Sequence, residues 1–197
     1  MKRIALLVAL ALIATVAHAE KVVGTFIMSG EEQDVEADYS DGTLQIYFDV
    51  FGEYTGEKVM MSIAGEENIL EFIEKLKYCK SKFVEWERIA LQNNVVDYSK
   101  KFDVTFPRVE LWWKGSSDWY SSFEGEYFKP LFFIDDEGEI SFIAGGEVSD
   151  WNNEYIDQKW YVIMQDASEI DSLIAAINPS RVISVLTRED TLDALFQ

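Results

Sequence analysis

Between Trp112 and Phe133 the chain places Trp112, Trp113, Trp119, Tyr120, Phe123, Tyr127, Phe128, Phe132 and Phe133, nine aromatic side chains in 22 residues. Interleaved with them are Asp118, Ser121, Ser122, Glu124 and Glu126. Flat apolar rings beside hydrogen-bond acceptors are what recognition of a sugar or of a protein surface requires. Alternate rings of such a run also fill a core, so the turn residues Trp119 and Tyr120 are the ones expected at the surface. A second stretch, Asp150-Trp151-Asn152-Asn153-Glu154-Tyr155, sets two aromatics among polar residues between strand-like segments, the composition of an adaptable binding loop. The candidate ligand-binding residues are therefore Trp112, Trp119, Tyr120, Glu124, Trp151, Asn152 and Tyr155.

Catalytic chemistry has little material. Residues 1–19 have the form of an export signal: Lys2 and Arg3 at the start, an apolar stretch from Ile4 to Val16, and Ala17-His18-Ala19 as a cleavage site. The apolar run is too short for the roughly 20 residues of a spanning helix. The expected product begins at Glu20 and is exported to the periplasm or the medium. It keeps 15 basic and 36 acidic residues, a formal charge of −21 against −19 for the whole chain, and it loses His18, the only histidine. Without histidine there is no Ser-His-Asp or Cys-His nucleophile, no His-ligated zinc, copper or iron, and no histidine pH switch.

Neither a P-loop nor a dinucleotide-binding glycine motif occurs, nor G-x-S-x-G or S-x-x-K, so no cofactor is expected. Nucleic-acid binding is excluded by charge, since affinity for phosphates comes mainly from Lys and Arg. Two acidic groups, Asp34/Glu36/Asp38/Asp41 and Asp135/Asp136/Glu137/Glu139, lack the spacing of a calcium loop and are expected to be solvated turns, with no metal bound. Cys79, the only cysteine, falls on an apolar helical face and is expected to behave as a small hydrophobe. Lys75, Lys77, Lys80, Lys82 and Arg88 gather on the same helix, where they offer a contact for an acidic polymer or, more simply, a solvated face. What remains for catalysis is a carboxylate pair of the glycosidase type, with Glu110, Asp118, Glu124, Glu126 and Glu154 as candidates. A non-catalytic binding domain is the preferred expectation, and a carboxylate-based hydrolase of an extracellular polymer the alternative.

The elements that must position these residues follow from periodicity. Val22 to Met28 is rich in β-formers. Asp41-Gly42 is a turn before a segment in which Leu44, Ile46, Phe48 and Val50 alternate with Thr43, Gln45, Tyr47 and Asp49. Val59, Met61 and Ile63 continue the pattern. The period then lengthens: Ile69, Phe72, Leu76, Cys79, Phe83, Trp86 and Ala90 predict a helix over about 66–92. Strands return with Val109, Leu111 and Trp113, with a fully buried Leu131 to Ile134, with Ile140, Phe142 and Ala144, and with Lys159 to Met164. Asp166 or Ser168 caps a second helix, over about 167–178, that Asn178-Pro179 stops. Val182, Ile183 and Val185 favour a strand from Arg181 to Thr187, and Asp190 to Phe196 a short helix. This tail, Ile177-Asn178-Pro179 followed by Val182-Ile183-Ser184-Val185, resembles over roughly twenty residues the strand-then-helix segment of plug domains in TonB-dependent outer-membrane receptors; the tyrosine-glycine that usually follows there, and any barrel, are absent. The resemblance implies local structure. No linker or repeat divides residues 20–197, so one α+β domain is expected, with mostly antiparallel sheet and the long helix packed across it.

Overall fold

The computed structural model describes residues 21–194 apart from 55, 117, 123 and 124. The signal-like segment 1–19 and the candidate Glu124 lie outside the described residues. The fold is α+β. Its strands are β1 Lys21–Met28, β2 Glu31–Ser40, β3 Thr43–Gly52, β4 Val59–Ala64, β5 Tyr98–Lys101, β6 Arg108–Lys114, β7 Trp119–Ser121, β8 Glu126–Tyr127, β9 Leu131–Ile134, β10 Ile140–Asp150 and β11 Asn153–Met164. The helices are α1 Glu66–Asn93, α2 Ala167–Ala176 and α3 Pro179–Ala194.

Every pairing among the described strands is antiparallel, and the main path runs β5-β9-β10-β11-β3-β4-β6-β7. One edge of β3 is shared: residues 43–48 pair with β2, while Phe51 and Gly52 pair with β11. The sheet therefore forks at β3, with β1 and β2 on one branch and β9, β10 and β11 on the other. The turns into and out of β2 are Ser29-Gly30 and Asp41-Gly42, each with two positive φ angles (51° and 75°, 50° and 78°). That is the turn whose twist matches a hairpin.

α1 begins after Gly65 (φ 87°), carries Glu66 and Glu67 in its first turn where the helix dipole favours them, and ends at Asn94 in the left-handed conformation. Its buried stripe is Ile69, Phe72, Ile73, Leu76, Cys79, Phe83 and Ala90. Against it lies a connected set of rings. Phe72 meets Phe48 of β3 at 6.3 Å, Phe106 at 4.9 Å and Phe128 at 5.2 Å. Phe128 continues to Trp160 of β11 and Phe142 of β10; farther along, Phe83 and Trp86 both meet Phe132 of β9. The β9–β11 branch thus buries its inner face against α1, the β1–β2 branch is covered by α2 and α3, and the two share one continuous core. Burial also pushes the Cys79 thiol up to about 12, which keeps it protonated and inert.

α2 packs on β1. Asp166 caps it, accepting from the Ser168 and Glu169 N–H groups, and the buried Glu169 carboxylate reaches back to the β1–β2 turn. It accepts from Ser29 N (3.1 Å), Gly30 N (2.7 Å) and Gln165 N (2.8 Å).

Three expectations are corrected. Asp34, Glu36 and Asp38 are on strand β2, not in a solvated turn; only Val35 and Ala37 of that strand are fully buried, and pairing on both sides holds a sequence poor in β-formers. Leu131 to Ile134 is half-buried, with Phe132 and Ile134 inward and Leu131 and Phe133 partly exposed. The tail expected to form a strand is the helix α3: Pro179 takes its first position, Val182 is buried, and Ile183, Val185 and Leu186 pack against the core. The likeness to the plug-domain segment therefore does not hold for local structure.

Phe72→Ala, which empties the meeting point of the ring network, is expected to lower the unfolding free energy by about 3–5 kcal/mol, whereas Leu70→Ala on the half-exposed side of α1 changes it by about 0.5 kcal/mol or less. Urea denaturation of the two variants beside the parent checks both values.

Candidate functional site

The two aromatic stretches are far apart in sequence and meet in space. β7 pairs with β6, setting Tyr120 opposite Trp113 and Trp119 opposite Lys114. Since Trp113 is buried, Tyr120 shares the inner face; it is half-buried, with its ring 6.0 Å from that of Trp113. Trp119 is turned to the outer face and is 44% exposed. The presumed loop at 150–155 is instead the tip of a long hairpin: Asp150 ends β10, Trp151 and Asn152 form the turn, and Asn153 to Tyr155 belong to β11.

This tip is fastened to β7. Trp151 N donates to Ser121 O at 3.2 Å, and Ser121 N donates to Asp150 Oδ1 at 3.3 Å. The other oxygen of Asp150 accepts from Asn152 N at 3.0 Å, which shapes the turn. Asp150 is buried, so its carboxylate stands in for the missing backbone partners of both elements. Trp151 is 56% and Tyr155 87% exposed, and Asn152 is exposed beside them. Trp151 and Asn152 therefore lie at a seam with β7, which carries Trp119 two residues from Ser121, and Tyr155 follows on the same hairpin tip.

Trp112 is placed differently. It is half-buried on the outer face of β6, opposite Met60, and meets Tyr47 edge to face with ring centres 6.4 Å apart. Its Nε1–H is buried and has no hydrogen-bond partner.

Of the carboxylates named for hydrolysis, the described Glu110, Asp118 and Glu154 are exposed on three different elements, β6, the β6–β7 turn and β11, and Glu126 is on β8. Acids do converge elsewhere, in a cleft of about 480 Å³ at the fork beside β3, lined among others by Glu31, Asp49, Glu53, Tyr54, Glu57 and Lys58. The Gly52-to-Gly56 turn was the only sequence signal for it. Glu57 Oε2 accepts from Tyr54 N and Gln158 Nε2, each at 3.0 Å, and Glu53 pairs with Lys159 at 2.8 Å. Lys58 Nζ bridges Glu36 (3.0 Å) and Asp49 (2.8 Å to Oδ2). Burial pushes the Asp49 carboxyl above its ordinary value, Lys58 pulls it back only in part, and Glu36 and Asp34 add to the rise. For Lys58, burial acts downward but is outweighed by the two carboxylates, so its ammonium is held above its ordinary value.

The basic helix face is internally neutralised: Lys75 pairs with Glu71, Lys77 with Glu74 and Lys82 with Glu85, while Lys80 reaches Asp171 of α2. Among the described residues no group of three or more His, Cys, Asp or Glu is placed to hold a metal ion, and no helix is long and apolar enough to cross a membrane. Compared with protein-family models, with curated proteins and with solved structures, the chain matches none.

The Lys58 bridge fixes a pH signature. Asp49, with its folded value raised, loses stability as pH rises through the range above 3.8, and Lys58 supplies its contribution below 10.5 and loses it above. Lys58→Met leaves two half-buried carboxylates facing each other. It is expected to lower stability at pH 7 by about 1–2 kcal/mol, a deficit that shrinks toward pH 4 as Asp49 takes up its proton. Urea titrations across that range read the difference, and a deficit independent of pH contradicts it.

Proposed function

We propose that this chain is an exported, non-catalytic recognition domain that binds a glycan or a protein of the cell envelope or medium through the aromatic seam of β7 and the β10–β11 tip. The observation that carries it is the hydrogen-bonded junction of β7 with the β10–β11 tip, tied by the buried Asp150, on elements that carry the exposed Trp119, Trp151 and Tyr155. Large rings at a surface leave apolar area in water, and here Asn152 and the seam's backbone groups supply polar partners beside them. The scaffold is rigid on both sides, one strand paired into the sheet and one long hairpin, so little ordering entropy is lost on binding. Export rests on the signal-like first 19 residues. The hydrolase alternative draws no support from Glu110, Asp118 and Glu154, which are exposed on three different elements.

Thermal unfolding of residues 20–197 against polysaccharide fragments and envelope extracts tests the proposal, because a ligand of the native state raises the midpoint. A saturable rise with one glycan, weakened about tenfold by Trp119→Ala and by Trp151→Ala with no product released from that glycan, is expected for a glycan-binding module. A rise with extract alone assigns the seam to a protein partner. Undiminished binding by both variants overturns the assignment of the seam.

A further inference from the structure

β5 lies at the opposite end of the strand path from β7. All four of its residues are exposed, and among the described residues β9 is its only neighbour, so one side of β5 presents unpaired backbone groups. Beside that edge runs a groove of about 340 Å³ between β5, β9 and the C-terminal part of α1. Its floor is apolar and buried, formed by Phe132, Ile134 and Ala90, and its one acidic lining residue, Glu85, is already paired with Lys82 at 2.8 Å. Tyr98 stands opposite Ile134 and Lys100 opposite Phe132, so the side chains of Tyr98 and Lys100 share the face that looks into the groove. Ile89 and Tyr98 line it and are 42% and 46% exposed. A free strand edge alongside a helix-walled apolar groove offers what strand addition requires: main-chain partners for affinity and pockets for alternate side chains.

Charge selects the occupant. In a chain with twice as many acids as bases, β5 carries two adjacent lysines, Lys100 and Lys101, with Lys100 Nζ held 4.2 Å from the centre of the Trp86 ring. Two copies of this edge pairing with each other bring four lysines together, which is unfavourable. Lysines alone suffice to guard an edge against self-association; an apolar groove behind them serves a bound strand. We propose that the β5 edge and this groove form a second docking site, which takes an extended segment of a partner protein, alternating apolar and acidic residues, as an added strand. The site is separate from the aromatic seam and stands or falls without it.

The probe is a labelled peptide alternating leucine and glutamate, with a leucine-lysine counterpart as control, added to residues 20–197 and followed by fluorescence anisotropy and amide hydrogen exchange. The acidic peptide is expected to bind, to slow exchange of the amides of residues 98–101, and to bind about tenfold more weakly to Lys101→Glu and to Ile89→Asp, both surface changes whose folding is verified by circular dichroism. Trp119→Ala leaves this binding unchanged. Equal binding of the two peptides, protection elsewhere than β5, absence of binding up to about 1 mM, or self-association of the free chain through β5 overturns the proposal.

Discussion

The architecture depends on one burial constraint: the two branches of a forked sheet must close on one continuous core, with an apolar stripe of α1 covering β3 and the β9–β11 branch and α2 covering β1. Ile69, Phe72, Leu76, Cys79 and Phe83 provide that stripe, and the rings of Phe48, Phe106, Phe128 and Phe132 close on it. Strands far apart on the path, β7 and the β10–β11 tip, are hydrogen-bonded to each other, so the sheet curls back on itself. Curling carries β7 to the tip of the β10–β11 hairpin. The exposed aromatic residues of the candidate site are thus gathered as a consequence of core packing.

Two buried carboxylates finish what the packing begins. Asp150 and Glu169 are each spent on backbone N–H groups that have no ladder partner, Asp150 where the sheet meets itself and Glu169 where the β1–β2 turn meets α2. These donors are partly buried, so leaving one unmet costs at most about 1–3 kcal/mol. The acids on the surface behave differently. On α1, Glu71, Glu74 and Glu85 pair with lysines three or four residues away and act locally, which is why the charge excess coexists with a dense core.

Sequence patterns reveal elements whose own side chains dictate them. The helix expected over 66–92 is observed at Glu66–Asn93, and the alternations at 44–50, 59–63 and 109–113 are strands with the expected faces inward. Asp166 caps α2 as expected. β2 was not legible because Glu31–Ser40 has weak strand propensity and is held by its neighbours. Val182, Ile183 and Val185 favour a strand at 181–187, whereas the structure starts α3 at Pro179 and packs the same side chains on the core. At the site, the residue types were legible in Trp119, Trp151 and Tyr155, but not their association. That rests on hydrogen bonds between Ser121 and the hairpin tip, some thirty positions away, which no local period encodes. The cleft at β3 is formed by the β3–β4 turn against the start of β2, whose strand character is itself not legible in the sequence.

The most direct measurement of this picture is native-state amide exchange at Ser121 and Trp151 in the parent and in Asp150→Ala. If the buried carboxylate joins β7 to the hairpin tip, both amides are protected in the parent and both lose protection together in the variant, while α1 amides beside Phe72 keep theirs. Unchanged protection at Ser121 and Trp151 in the variant, or rapid exchange of either in the parent, contradicts a surface assembled by that closure.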